Sequence, residues 1–285
     1  MKDVLVGGMA LIEGVMMRGP TKIGIAVRDP KKQIVTKSEA FTPLTQRYKI
    51  LNIPFIRGSI NMVEMMIIGM KSLFYATDVA LEEENQSSSW SSWLSMVMSV
   101  VIGLGVGLLL FKFIPFFVAK AVSTPTWLAL LEGIIKIAIF IGYIYVISKM
   151  HDIYRVFQYH GAEHKTIRCF EQKKPLTVRN VKQCSRFHPR CGTSFVIFVI
   201  LLSIVLYAFI PSTLGFWLQF GIRLALLPVL AGISYEILRI TASNEKSVLF
   251  SIISAPGVWT QHLTTNEPDD EQIEVAIKAL QVALK

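Results

Sequence analysis

"LSMVMSVVIGLGVGLLLFKFIPFFVAKA", residues 94–121, decides the fold. A helix needs about 20 apolar residues, at about 1.5 Å each, to cross a bilayer, and this run exceeds that with only Lys112 and Lys120 charged. Working outward, "WLALLEGIIKIAIFIGYIYVIS" (127–148) reads the same way, 193–210 is a shorter apolar run, and 214–238 is a fourth. The links "VSTPT" and "PSTLGF" are brief, so the runs are expected to pair as two transmembrane hairpins, 94–148 and 193–238.

Composition agrees. The 285 residues are 52% hydrophobic and only 17% charged, outside the range of ordinary soluble domains. Of the net charge of +9, most Lys and Arg fall in 1–93 and in the loop Lys149–Arg190, while the two short links carry almost none. The positive-inside rule then places both termini and the central loop in the cytoplasm, as an even number of spans requires. This charge reads as a topology signal and a contact for anionic headgroups. No nucleic-acid module accompanies it, so no specific nucleic acid is expected as a partner; the lipid bilayer is. The N-terminus has no uninterrupted apolar core and is not read as a signal peptide. Three cysteines, all in the central loop, exclude a disulfide framework and leave thiols or ligands.

The remaining segments are cytoplasmic pieces. Residues 1–50 read as β-rich: Ile23, Ile25 and Val27 alternate, a turn follows at Asp29-Pro30, and 34–41 is the return strand. Upstream, Gly7, Gly8, Gly14 and Gly19 surround Glu13 and Arg18 and are expected to shape turns. Residues 51–93 hold an apolar stretch (53–84) interrupted by Arg57, Glu64, Lys71 and Asp78. This suits an amphipathic helix in the interface or docked on the bundle better than a fifth span. Trp90 and Trp93 then suit the headgroup level. In 239–285, "SVLFSIISAPGVWTQHL" is broken by Pro256-Gly257 and is expected along the membrane surface. "EPDDEQIEVAIKALQVALK" follows as an amphipathic helix with a stripe of Ile273, Ile277, Leu280 and Leu284.

The loop 149–192 carries the chemistry. In "YHGAEHKTIRCF" (159–170), His160 and His164 share a helix face, close enough to hold one ion, and Glu163 completes an H-x-x-E-H pattern in which the carboxylate serves as base. Such a short pattern is unspecific alone. "CSRFHPRCGTSF" adds His188 and Cys191 in a Pro/Gly-shaped turn like a zinc knuckle with histidine in place of its first cysteine. His160, His164, His188 and Cys191 are thus four candidate ligands whose mixed N/S chemistry suits a divalent metal, zinc first. Four ligands make a closed structural site; three leave a position for water, with Glu163 as catalytic base. The alternative is surface histidines, a turn-capping His188 and a packing role for Cys169.

The blocks "GGMALIEGVMMRGP", "PFIRGSI", "YHGAEHKTI", "HPRCGTSF" and "PGVWTQHLTTNEPDDEQIEVAI" resemble the YqhQ family of bacterial membrane proteins over nearly the whole chain. The resemblance implies a multi-pass protein of the bacterial cytoplasmic (inner) membrane, of a family of unknown function labelled as predicted metal-dependent enzymes. The chain departs from the family pattern at Met9 and His262.

Within the spans, Glu132 and Lys136 stand at i, i+4, and Lys112 and Arg223 also lie in apolar runs. Ionisable groups at such depth act as a polar joint or an ion path. Gly103, Gly105 and Gly107 read as a packing face.

The expectation is a polytopic α-helical membrane protein with four transmembrane helices, a small β-rich N-terminal cytoplasmic part and cytoplasmic amphipathic helices. The leading function is a metal-dependent hydrolase. The alternatives are a non-catalytic partner, whose structural metal site serves docking on another membrane complex such as the protein-insertion machinery, and a small transporter.

Overall fold

Alternating Ile23, Ile25 and Val27 place three β-branched side chains on one face of a strand, and the chain builds its first layer on that strand. The computed structural model describes residues 6–81, 90–122, 127–211, 213–244 and 247–285. Strands β1 (Gly7–Leu11), β2 (Gly14–Arg18), β3 (Lys22–Arg28) and β4 (Ile34–Ala40) form an antiparallel meander in chain order. Helices follow: α1 (Leu44–Arg47), α2 (Ile56–Ala80), α3 (Trp90–Leu108), a π-helical turn (Leu109–Phe113), α4 (Ile114–Val122) and α5 (Leu128–Ile147). The second half is α6 (His151–Glu171), α7 (Val178–Lys182), α8 (Gly192–Ala208), α9 (Phe216–Ala225), α10 (Leu227–Ser243), α11 (Val248–Thr264) and α12 (Asp270–Leu284).

The strands β3 and β4 match the sequence reading. The glycine-rich segment does not form only turns: it supplies the hairpin β1–β2, in register Gly8 to Met17 and Leu11 to Gly14. Glu13 takes the left-handed turn position (φ 49°), and its carboxylate receives both Nε and Nη2 of Arg155 at 2.5 Å, tying the hairpin to α6.

Both sheet faces are covered. Leu11, Met16, Ile23, Ile25 and Val27 pack with Ala76, Ile68 and Tyr75 of α2. Val15, Met17 and Ala26 pack with Tyr159, Ala162 and Ile167 of α6 and with Ile273, Ala276 and Leu280 of α12. Cys169 and Cys184 lie in this same core, as packing groups. The α12 helix starts with a capping box in which Asp269 and Gln272 exchange hydrogen bonds, and its stripe is buried at Ile273, Ile277 and Leu280, with Leu284 at the exposed end.

Among the described residues, three helical stretches are long and apolar enough to cross a membrane: Val101–Ala121, Leu128–Ile147 and Phe216–Ser243. The chain is therefore mostly helical and membrane-associated. The apolar α8 is shorter, at 17 residues, and packs against α5, α10 and α11. The first stretch is not a uniform α-helix. Pro115 has no N–H, and its ring would strike the carbonyl four residues back in an α-helix; the π turn over Leu109–Phe113 absorbs that conflict.

The α2 helix is not among the three stretches. Besides the sheet, it meets α10, where Arg57 Nε and Nη2 pair both oxygens of Glu236 at 2.7 and 2.5 Å. Its other side leaves Val63, Met66, Ile67 and Phe74 exposed. The side chains of Trp90 and Trp93 lie outside the described residues. The break expected at Pro256 is absent: α11 is continuous with Pro256 inside it, and Gly257 packs on Ser194 of α8.

Candidate functional site

The α6 helix sets out its polar face at i, i+3 and i+4, bringing His160, Glu163 and His164 to one side. Gly161 lies within this run because the Asn266 backbone carbonyl sits where its Cβ would be. Opposite, Cys191 caps the N-terminus of α8. Nitrogens of His160 and His164 and Cys191 Sγ all lie within 4.8 Å of one another.

Each imidazole is oriented by a backbone carbonyl. Nδ1 of His160 bonds the Thr264 oxygen at 2.8 Å, and Nδ1 of His164 bonds the Arg186 oxygen at 2.6 Å. These bonds assign the proton to Nδ1 in the neutral rings and leave each Nε2 with a lone pair, as histidine ligands require. Nε2 of His160 is 3.2 Å from Cys191 Sγ, which also lies 3.1 Å from Thr193 Oγ1.

Electrostatics follow from this arrangement. Burial alone would keep Cys191 protonated, but the charges and hydrogen bonds of His160 and His164 hold the thiol well below its ordinary range. Burial likewise opposes charge on His160, yet the Cys191 thiolate outweighs it and raises the imidazolium to about 9, with help from Glu163 and the Thr264 carbonyl. Burial and the neighbouring His160 charge lower His164. Glu163 is 5% exposed and accepts no hydrogen bond from any described residue. Burial pushes its carboxyl up to about 8, against the pull of His160. Gly8 of β1 faces it, and a Cβ there would come within 2.8 Å of Glu163 Oε1, so the strand's glycine makes room for the carboxylate.

His188 lies beside this triplet, its ring centroid 5.6 Å from that of His164. Both its nitrogens have partners: Nε2 is 3.2 Å from Oε2 of Glu171 at the end of α6, and Nδ1 accepts from Arg190 N–H in the turn at 3.3 Å. Of the four expected ligands, three converge, and His188 lies beside them. Sequence reasoning missed what holds that turn. Buried Gln261 of α11 accepts from His188 N–H at 2.8 Å and donates to its carbonyl at 2.7 Å. A glutamine in the apolar run "PGVWTQHL" was the signal for it.

The donor set suits zinc: two imidazoles with carbonyl-bonded backs, one low-pKa thiol, and a neighbouring carboxyl free of hydrogen bonds. The other expected polar residues gather at the far end of α5, where Glu132 binds Lys136 Nζ (2.5 Å) and Arg223 Nε (3.0 Å), while Lys112 bonds Tyr207.

Comparison with known proteins places these residues in a family. Residues 53–285 match the family described as "Protein of unknown function (DUF1385)". The chain is 37% identical to the "Uncharacterized protein YqhQ" of Bacillus subtilis (strain 168), over 98% of this chain and 92% of that protein. No solved structure matches. A family match over most of the chain, with a relative of this identity along nearly its whole length, means that the protein belongs to the DUF1385 (YqhQ) family.

Proposed function

We propose that this chain is a four-span membrane protein that holds a divalent metal, zinc first, on His160, His164 and Cys191, and hydrolyses a substrate there with Glu163 as the general base. The fourth span is α8, whose 17 residues meet the lower limit for a crossing. With α8 counted, both termini and the His/Cys site share one face of the membrane, the basic one.

One observation carries the catalytic reading: an unbonded, buried carboxyl titrating at about 8 beside three convergent ligand atoms. A purely structural site has no use for such a group. Bound zinc would supply Lewis acidity to a scissile carbonyl or related centre. Glu163, whose proton is exchanged at about pH 8, would in its ionised form accept a proton from the attacking water and deliver it to the leaving group. The Thr264 and Arg186 carbonyls fix the imidazole tautomers, and the sheet edge at Gly8 shields the carboxyl from bulk water. A second reading rests on burial. Cys191 and His164 are 4% and 2% exposed and join α6 to α8, as a metal staple between the polar layer and the spans would.

The two readings separate with purified protein offered a pool of peptides and esters, the products followed by mass spectrometry. Catalysis requires Glu163→Gln to retain its metal and lose turnover, and His164→Ala to lose both. Full turnover in Glu163→Gln would overturn the hydrolase and leave the staple.

A further inference from the structure

Glu132 is the only carboxylate among the described residues of the polar cluster at the far end of α5, and it is fully buried. Three cations share it or its neighbours. Lys136 Nζ binds Oε1 at 2.5 Å, Arg223 Nε binds Oε2 at 3.0 Å, and Lys112 Nζ donates to Tyr207 Oη at 2.7 Å. All three also lie over the Tyr207 ring, at 4.7, 5.1 and 5.1 Å from its centroid. Lys120 continues the series outward, over Phe116 and Phe216.

One carboxylate against three basic side chains is not a balanced joint. Charges in an apolar interior are costly unless paired, and an aromatic face compensates an ammonium only in part. Hydrogen bonding is unspent too. Lys112 and Lys136 each use one of three donors, and Arg223 Nη2 finds no acceptor among the described residues. The π turn that carries Lys112 adds to this, since such turns recur at functional sites. Lys112 is only half-buried, so the cluster opens to the protein's surface along an apolar stretch long enough to cross a membrane. The neighbouring α8 spans about 26 Å at ~1.5 Å per residue, less than the ~30 Å hydrocarbon core. A bilayer thinned to match it brings headgroups closer to the cluster.

We propose that Lys112, Lys136 and Arg223 bind a phosphate group, carried by an anionic lipid headgroup or free in solution, in a site at the opposite end of α5 from the His/Cys cluster. The phosphate accepts the unspent N–H donors and supplies the missing negative charge, while Glu132 holds Lys136 and Arg223 in place.

The test uses the full chain, delipidated in a neutral detergent, with native mass spectrometry and thermal unfolding as readouts. Phosphatidylglycerol and inorganic phosphate are titrated separately into wild type, Lys112→Met, Lys112→Arg and, as a surface control, Lys71→Met. Expected is saturable binding of one phosphatidylglycerol per chain, weakened at least tenfold in Lys112→Met, restored in Lys112→Arg and within twofold of wild type in Lys71→Met. The same pattern with inorganic phosphate alone would support the site and assign it to the free ion. Binding of neither probe, or equal binding by wild type and Lys112→Met, would overturn the proposal. Lys112→Met leaves both Glu132 ion pairs intact, so folding is kept apart from binding.

Discussion

Glu163 stays protonated to about pH 8 because burial disfavours its charge, whereas the unfolded chain ionises it near the ordinary 4.5. Between those values the folded state binds the extra proton, so this residue's contribution lowers stability as pH rises through that window. Metal-free wild type should lose melting temperature from pH 5 to pH 8 relative to Glu163→Gln, the gap widening upward. Parallel curves for the two proteins, followed by intrinsic fluorescence, would show the carboxyl ionised like any other. At this scale the sequence was partly legible. The spacing of His160 and His164 and the knuckle-like turn pointed to Cys191, because a helix repeat and a Pro/Gly turn fix local direction. Which ring nitrogens face inward was not legible, since Thr264, Arg186 and Glu171 decide it from other parts of the chain. For the same reason the sequence did not show that His188 lies beside the convergent triplet, with its nitrogens toward Glu171 and Arg190.

Helix α6 shows how an element can run against local propensity. Gly161 weakens an isolated helix, yet α6 passes through it unbroken because the Asn266 carbonyl needs the space. Replacing it with alanine, a better helix former, should therefore destabilise the protein, by about 1–3 kcal/mol as overpacking costs. Thermal unfolding of Gly161→Ala checks this, and a raised melting temperature would mean the carbonyl moves freely aside. The strands β3 and β4 were legible by alternation. The β1–β2 hairpin was not, because Gly7, Gly8 and Gly14 look like turn residues until Glu163 is seen against Gly8. Helix α11 differs from its sequence reading at Pro256 for a related reason: packing against α8 holds a helix that the sequence alone would break.

On the scale of the whole molecule, hydropathy marked the three long apolar helices, since apolar length is a bulk property that local detail does not disturb. It could not show that the polar layer is built from both ends of the chain, with the N-terminal sheet lying between α2 on one face and α6 and α12 on the other. That layering requires residues 6–81 and 248–285 on one side of any membrane the long helices cross. Reporter fusions at the 122–126 and 211–216 links should report the opposite side from fusions at either terminus. The 211–216 link reporting the same side as the termini would remove α8 as a span, and the 122–126 link doing so would remove the first hairpin.

The central claim is the convergence of two imidazoles and a thiolate on one metal. Zinc X-ray absorption on the purified full-length protein, with metal content measured beside it, tests this most directly. Expected is about one zinc per chain with one sulfur ligand near 2.3 Å and two imidazole nitrogens near 2.0–2.1 Å. The sulfur shell should vanish in Cys191→Ala. A protein that binds no zinc, or one whose zinc keeps its sulfur in Cys191→Ala, would contradict the account.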